Sequence, residues 1–482
     1  MIKRTDCKLE WVKSKILPSP PEELDIYSRK LFQTIQETGL PTFKEAASPE
    51  QEAIWLLEVA AEIEHALLVQ YLYSAYSIDN NPDFQRTLTN ISIQEMGHLI
   101  TVQNLLLAIG GNVYFERQDE SPQDSLDPFP FTLEPFSKSV LAKYVLAEMP
   151  LIDDLPDEEK AEIEQIKNEH QLDIGMQINR VGALYLKLYW LFQSSDEPEG
   201  PWKLSKYIIP ADLIGKHVTC LDSVEASIDF QTDSSEWLAS VPGLQIDLVS
   251  NRADVLNAIY RISAQGEGFT GPIDSHFERF RELYRQYDSA SLTIRDVPTN
   301  PFISETPDSE PNRELNRISH PIARILVELA DVRYKKMLLH FIQFFSYSKT
   351  GPQSDLRQSL IEWSLEEMKK GIRTLSRVVQ DLPRTTTNMQ GPTKAALLFN
   401  IPRQVFPTNN DRQWQLLTQL LDKSQELKTE LNNLPDNPSM SPIIGISVNR
   451  VLSDDDDKRQ IIAQQTTDSV STDFVSRDFH VA

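Results

Sequence analysis

The residues best placed to do chemistry are Glu95 and His98, in the run Ile93-Gln-Glu-Met-Gly-His98-Leu99. Residues three apart on a helix project from one face, so a carboxylate and an imidazole at this spacing can reach one cation. The Glu-x-x-His unit recurs in helix bundles that hold metals between carboxylate and imidazole ligands. The spacing alone arises often by chance, and an exposed i,i+3 pair is the competing reading. Its surroundings favour the metal, because residues 91–109 are apolar on most faces and an unpaired carboxylate is costly to bury there. Glu64 offers a second carboxylate, following Leu57 and Ala61 by seven and three residues and so falling on the apolar stripe of its own segment. Glu58 and Glu62 sit on or near the same side and remain alternatives. His65 points about 100° away and reads as packing or as support for a ligand.

Such a site needs helices that bring these side chains together. From Pro49 to Ser77 the apolar residues Ile54, Leu57, Ala61, Leu68, Leu72 and Ala75 recur at helical spacings, which predicts a long helix with a buried face. Asn80, Asn81 and Pro82 interrupt the chain, and a second helix is predicted over residues 83–109, ending at Gly110-Gly111. The short connection makes the two antiparallel neighbours. Residues 112–136 carry Pro122, Pro128, Pro130 and Pro135 without a helical period, which predicts a long loop draped over the bundle. Helical periodicity resumes over 137–148, 156–192 and 251–264, while 205–249 is ambiguous between irregular structure and short strands. A Pro/Asn/Asp-rich connector at 296–312 precedes helices at 314–347, 353–382 and 412–434. The expected division is an N-terminal arm (1–48), a metal-binding bundle (49–290), a linker (291–313), a C-terminal helical region (314–435) and a tail (436–482) whose polar, acidic composition predicts disorder.

Composition narrows the partners. The 482 residues, 40% of them hydrophobic, suffice for a sizeable core. Apolar runs such as residues 185–192, interrupted by Lys187, fall short of the roughly 20 residues of a membrane span. The opening MIKRTDCKLEWVKSK lacks an apolar signal core, so a cytoplasmic location is the expectation. Cys7 and Cys220 alone support neither a disulfide framework nor a thiolate metal site, leaving carboxylate and imidazole as the donors. A net charge of −24 argues against nucleic acid or an anionic membrane as partner.

The stretch Ile63-Glu-His-Ala-Leu-Leu-Val-Gln-Tyr-Leu-Tyr-Ser-Ala-Tyr-Ser-Ile78, followed by Glu95-Met-Gly-His98 and Asn104-Leu-Leu-Leu-Ala-Ile-Gly-Gly111, resembles the ferritin-like iminophenyl-pyruvate dimer synthase family of bisindole pigment pathways. The likeness continues through Pro135-Phe-Ser137, Glu148-Met-Pro150, Val181-Gly-Ala-Leu-Tyr185, Gln265-Gly-Glu-Gly268 and His276-Phe-Glu-Arg-Phe280, spanning residues 50–285. It extends weakly to Met368-Lys-Lys-Gly-Ile372 and Gly391-Pro-Thr393. The resemblance implies an all-α fold, a ferritin-like four-helix bundle with long inserted loops and a second C-terminal helical region. It also adds Glu267 and His276 to the metal ligands. Glu267 lies between two glycines at a helix C-terminus, where the dipole disfavours an anion unless a cation offsets it; an ordinary solvated turn is the alternative. His276 opens the next helix, where the dipole favours the neutral imidazole that ligates metal. Tyr71, in the largely packing cluster Tyr71, Tyr73 and Tyr76, is a candidate pocket residue or electron shuttle.

One departure from the family matters. The family places a carboxylate where this chain has Ala183, which leaves a two-iron site one oxygen short unless another residue compensates. Glu169, His170 and Asp173 lie upstream on the same predicted helix, about three turns away along its axis. The resemblance further implies iron, as one or two ions with manganese an alternative, together with dioxygen or peroxide and a small amino-acid-derived or aromatic substrate, as in oxidative imine coupling. A homo-oligomer is compatible. Two other classes stay open: a non-catalytic iron-binding or ferroxidase protein, and a helical interaction protein with a degenerate metal site, which Ala183 motivates. His320 and His340, with Glu328, Glu362 and Glu366, sketch a second metal site, but solvated faces and core packing explain them better. His217 and Cys220 are spaced like ligands but lack further partners.

Overall fold

The computed structural model of the chain describes residues 7–12, 39–117, 131–149, 155–172, 180–193, 216–219, 221, 225, 227–237, 243–266, 275–303, 313–386, 391–401, 406–434, 442–452 and 455–468. Helix α1 (Pro49–Ser77) starts where the Ser48 side chain accepts the N–H of Gln51, with Pro49 in the first turn and Glu50 and Glu52 facing the positive helix end. Asn81 caps α2 (Pro82–Ala108) by accepting the N–H groups of Asp83 and Phe84. α2 closes at Gly110, whose φ of 79° only glycine adopts readily, and the Gly111 N–H bonds back to Leu106. Both helices are buried on most faces and pack as an antiparallel pair, the centre of the bundle.

Among the described residues, α3 (Lys138–Ala147), α4 (Asp157–His170), α5 (Arg180–Phe192), α6 (Arg252–Gln265) and α7 (His276–Gln286) surround them. α5 packs on α1 and α6, α6 and α7 touch α2, and α3 lies against α7 and α4. The helix expected over 156–192 is instead two elements. Gln171 turns left-handed at φ 51° and the Leu172 N–H bonds to Lys167, which closes α4 before α5 begins. Lys187, which interrupts the apolar run of α5, is buried and paired with Glu52 at 3.0 Å, tying α5 to α1. The arm contributes a two-stranded antiparallel pair, β1 (Leu9–Val12) with β2 (Leu40–Phe43), and Phe43 packs edge-on to Trp55 at 5.4 Å. Within 205–249 the described residues form no strand. The Asn104 side chain holds them to α2 through Thr232 and Asp247.

The C-terminal half contains α8 (Pro321–Phe344), α9 (Ser354–Glu366), α10 (Arg373–Asp381), α11 (Asn410–Asn432), α12 (Pro442–Leu452) and α13 (Asp455–Asp468), with a π turn at Glu367–Ile372 joining α9 to α10. His320 caps α8, and His340 is buried against the Trp363 ring at 5.4 Å. The tail whose composition predicts disorder holds α12 and α13 in its described part. The reason is a buried ion cluster: Arg333 bonds Glu367 at 2.8 Å and Asp455 at 2.6 Å, while Lys336 bonds the same two carboxylates at 2.8 and 2.7 Å. Gly371 makes this possible, since a Cβ there would lie 2.7 Å from Glu367 Oε2. Among the described residues no helix is long and apolar enough to cross a membrane.

Asp455→Ala leaves the buried Arg333, Lys336 and Lys458 around the one carboxylate of Glu367. It is expected to destabilise the C-terminal half by about 3 kcal/mol and to expose α13 to protease, read by denaturant unfolding and limited proteolysis. Burial raises the carboxyl pKa of Glu367, but Arg333 and Lys336 overcome this and hold it at about 2. Its contribution is therefore present above its ordinary value of 4.5 and fades as pH falls from there toward 2.

Candidate metal centre

α1 brings Glu64, and α2 brings Glu95 and His98, to one point inside the bundle. His98 Nδ1 lies 2.9 Å from Glu95 Oε2 and 3.3 Å from Glu64 Oε2. The other face of Glu95 meets His276, whose Nδ1 lies 2.8 Å from Glu95 Oε1 and 3.8 Å from Glu148 Oε2. Two groupings able to hold a metal ion thus share one carboxylate, and all five residues are buried. His276 is the first residue of α7, set by the Ser275 cap. Glu148 is the C-cap of α3, at the negative end of a helix where a cation would offset the dipole.

A second layer fixes these groups. The Tyr71 phenol donates to Glu148 Oε1 at 2.5 Å, and the Tyr185 phenol donates to Glu64 Oε1. Each phenol takes the carboxylate oxygen that faces away from the histidines. The His98 Nε2–H donates to Gln265 Oε1 at 3.0 Å, and the His276 Nε2–H donates to Gln94 Oε1 at 3.0 Å. The amides are themselves oriented, because Gln265 Nε2 donates to Gly243 at 2.9 Å and Gln94 Oε1 also accepts from Arg279 at 2.9 Å. With the ring proton placed on Nε2, each Nδ1 turns toward carboxylate oxygens. Glu95 Oε1 and His276 Nδ1 face each other in the interior with no hydrogen bond among the described residues. Two acceptors so placed call for a cation between them, and the oxygen and nitrogen donors suit iron or manganese.

The electrostatics agree. Burial pushes the Glu64 carboxyl up to about 7. Burial would raise Glu95 too, but His276 and His98 hold it well below the usual carboxylate range. Burial disfavours charge on His98, yet Glu64 and Glu95 push its pKa well above the ordinary imidazole value. Burial lowers the His276 pKa from the ordinary imidazole value, against Glu95, which raises it. The two imidazoles are therefore shifted in opposite directions.

Of the residues singled out from sequence, Glu64, Glu95, His98 and His276 come together, and Tyr71 reaches the same centre through Glu148. Glu267 and Asp173 lie outside the described residues. Glu62, one of the alternatives to Glu64, accepts from Tyr114, and His65 bonds Tyr334. Glu169 and His170 bond Tyr284. Ala183 is buried on α5, and Glu148 on α3 brings a further carboxylate to the second grouping. In the sequence Glu148 stands out only as part of the Glu148-Met-Pro150 motif. The available signal was a lone acid ending the apolar run Val145-Leu-Ala147 at a helix terminus.

Residues 57–285 match the family model described as Ferritin-like, an interval that contains every residue of both groupings. The bundle has the all-α fold that this model describes. The chain is also similar to 2-imino-3-(indol-3-yl)propanoate dimerase of Chromobacterium violaceum, 26% identical over 374 residues, covering 68% of this chain. It spans about a third, 32%, of that relative's length. No solved structure matches the chain significantly.

Gly243 supports both amide pins of the centre. Its φ is 76°, and a Cβ there would fall 2.3 Å from Gln94 Nε2 and 3.3 Å from Gln265 Nε2. Gly243→Ala is expected to weaken Fe(II) or Mn(II) binding at least about tenfold with all ligands intact, measured by anaerobic titration. Metal uptake must also displace the proton at His98 and ionise Glu64. Affinity should fall from about pH 8 to pH 6, with protons released on binding, as calorimetry in buffers of different ionisation enthalpy would show.

Proposed function

We propose that the chain is a non-haem iron oxidase acting on a small aromatic 2-imino acid, in the manner of oxidative imine coupling in specialised metabolism. The observation that carries this reading is the sharing of Glu95 between two buried carboxylate–imidazole groupings. Glu64, Glu95 and His98 would hold one ion, and Glu95, Glu148 and His276 a second. Iron held there would supply electron transfer from the organic substrate to dioxygen or peroxide. The chain's own residues orient and insulate. Tyr71 and Tyr185 each donate to one oxygen of Glu148 and Glu64, which leaves the other oxygen of each carboxylate for an ion. Tyr144 and Phe280 pack on the Tyr71 ring at 4.6 and 4.9 Å and exclude water from that side. The substrate class rests on the relative's name, which makes that protein a dimerase of 2-imino-3-(indol-3-yl)propanoate.

The test is anaerobic loading with Fe(II) followed by oxygen. The native chain should hold two ions, Glu148→Ala one and Glu95→Ala none. With oxygen and an imine generated from tryptophan by an amino-acid oxidase, the loaded protein should form a coupled product, and Glu95→Ala should form none. Oxygen uptake without organic product would replace this reading with a ferroxidase. Absence of stoichiometric iron or manganese would end both.

A further inference from the structure

Where the bundle meets the C-terminal half, a cleft of about 320 Å³ opens between the α1–α2 junction and α10. α10 follows the π turn, an element that recurs beside functional sites. Arg373, Ser376, Arg377 and Gln380 fall at spacings of three, four and seven, so they share one helix face, and all line the cleft. Among the described residues neither Arg373 nor Arg377 has a hydrogen bond or ion pair, and both are exposed. That is unexpected in a chain with 71 acidic against 47 basic residues. The third arginine of the cleft is engaged: Arg295 pairs with Asp79 at 2.6 Å, reaches Asp381 at 3.8 Å and bonds the Ile78 carbonyl at 3.2 Å. The two carboxylates that line the cleft are therefore turned to Arg295. Ser376 is 1% exposed, and its Oγ has no hydrogen-bond partner among the described residues. A buried hydroxyl so placed, beside two guanidinium groups one helical turn apart, is a donor set for an oxyanion.

We propose that this cleft binds a small molecule through a carboxylate or phosphate group, held by Arg373, Arg377 and Ser376. Tyr76 on the cleft wall lies twelve residues beyond Glu64 on α1, about 18 Å along the axis, so the site is separate from the metal centre. An occupant bridges α10 and the α1–α2 junction and ties the two halves together.

Calorimetric and thermal-shift titrations of the full chain with inorganic phosphate and, separately, with succinate test this, at constant ionic strength against a sodium chloride control. Saturable binding of either anion, with a rise in melting temperature beyond the chloride control, is the expected result. Arg373→Ala/Arg377→Ala should weaken it at least about tenfold and Ser376→Ala severalfold, with the unliganded melting temperature and iron content unchanged. Phosphate alone binding assigns a phosphate ester, succinate alone a carboxylate, and both a general oxyanion site. The proposal is overturned if neither anion exceeds chloride, or if the double variant binds like the native chain. Because iron content is read on the same samples, failure here leaves the metal reading standing, and the reverse.

Discussion

The carboxylate of Glu95 is met by an imidazole nitrogen on each side, at 2.9 Å from His98 and 2.8 Å from His276. A buried carboxylate between two nitrogens is tolerable only with positive charge beside it, as protons or as metal ions. α2 must present Glu95 and His98 from one face while remaining buried on the others, which explains its apolar run. α7 must begin at His276, which explains the Ser275 cap. Each histidine then needs an acceptor behind it, and Gln265 and Gln94 meet that demand with neutral amides in place of further charge.

What could be read in the sequence was what is local. The three-residue spacing of Glu95 and His98 is a property of one helix, and the place of Glu64 follows from its own apolar stripe. His276 came from resemblance. Glu148 escaped because its proximity to His276 depends on how α3 docks on α7, a long-range fact that spacing does not encode. The break after His170 escaped for a related reason. Gln171 is an ordinary residue by composition, and its left-handed turn is set by the closing bonds of α4. In the tail, composition pointed to disorder because it counts charges without their partners, and Asp455 has Arg333 and Lys336.

The centre is nearly symmetric in its parts and unsymmetric in its charge. Each half has a terminal glutamate pinned by a phenol, a histidine pinned by an amide and one oxygen of Glu95. Yet two carboxylates raise the pKa of His98, while burial lowers that of His276. The half around His276 thus yields its proton to a cation more readily than the half around His98.

The ion cluster of the C-terminal half also sets an order of assembly. Asp455 follows Arg333 by 122 residues, so during synthesis Arg333 and Lys336 wait with only Glu367 as counter-charge. At roughly 5–20 residues per second that wait is on the order of ten seconds. The bundle can close around its own ligands in that time, whereas the C-terminal half becomes whole only when its last described helix arrives.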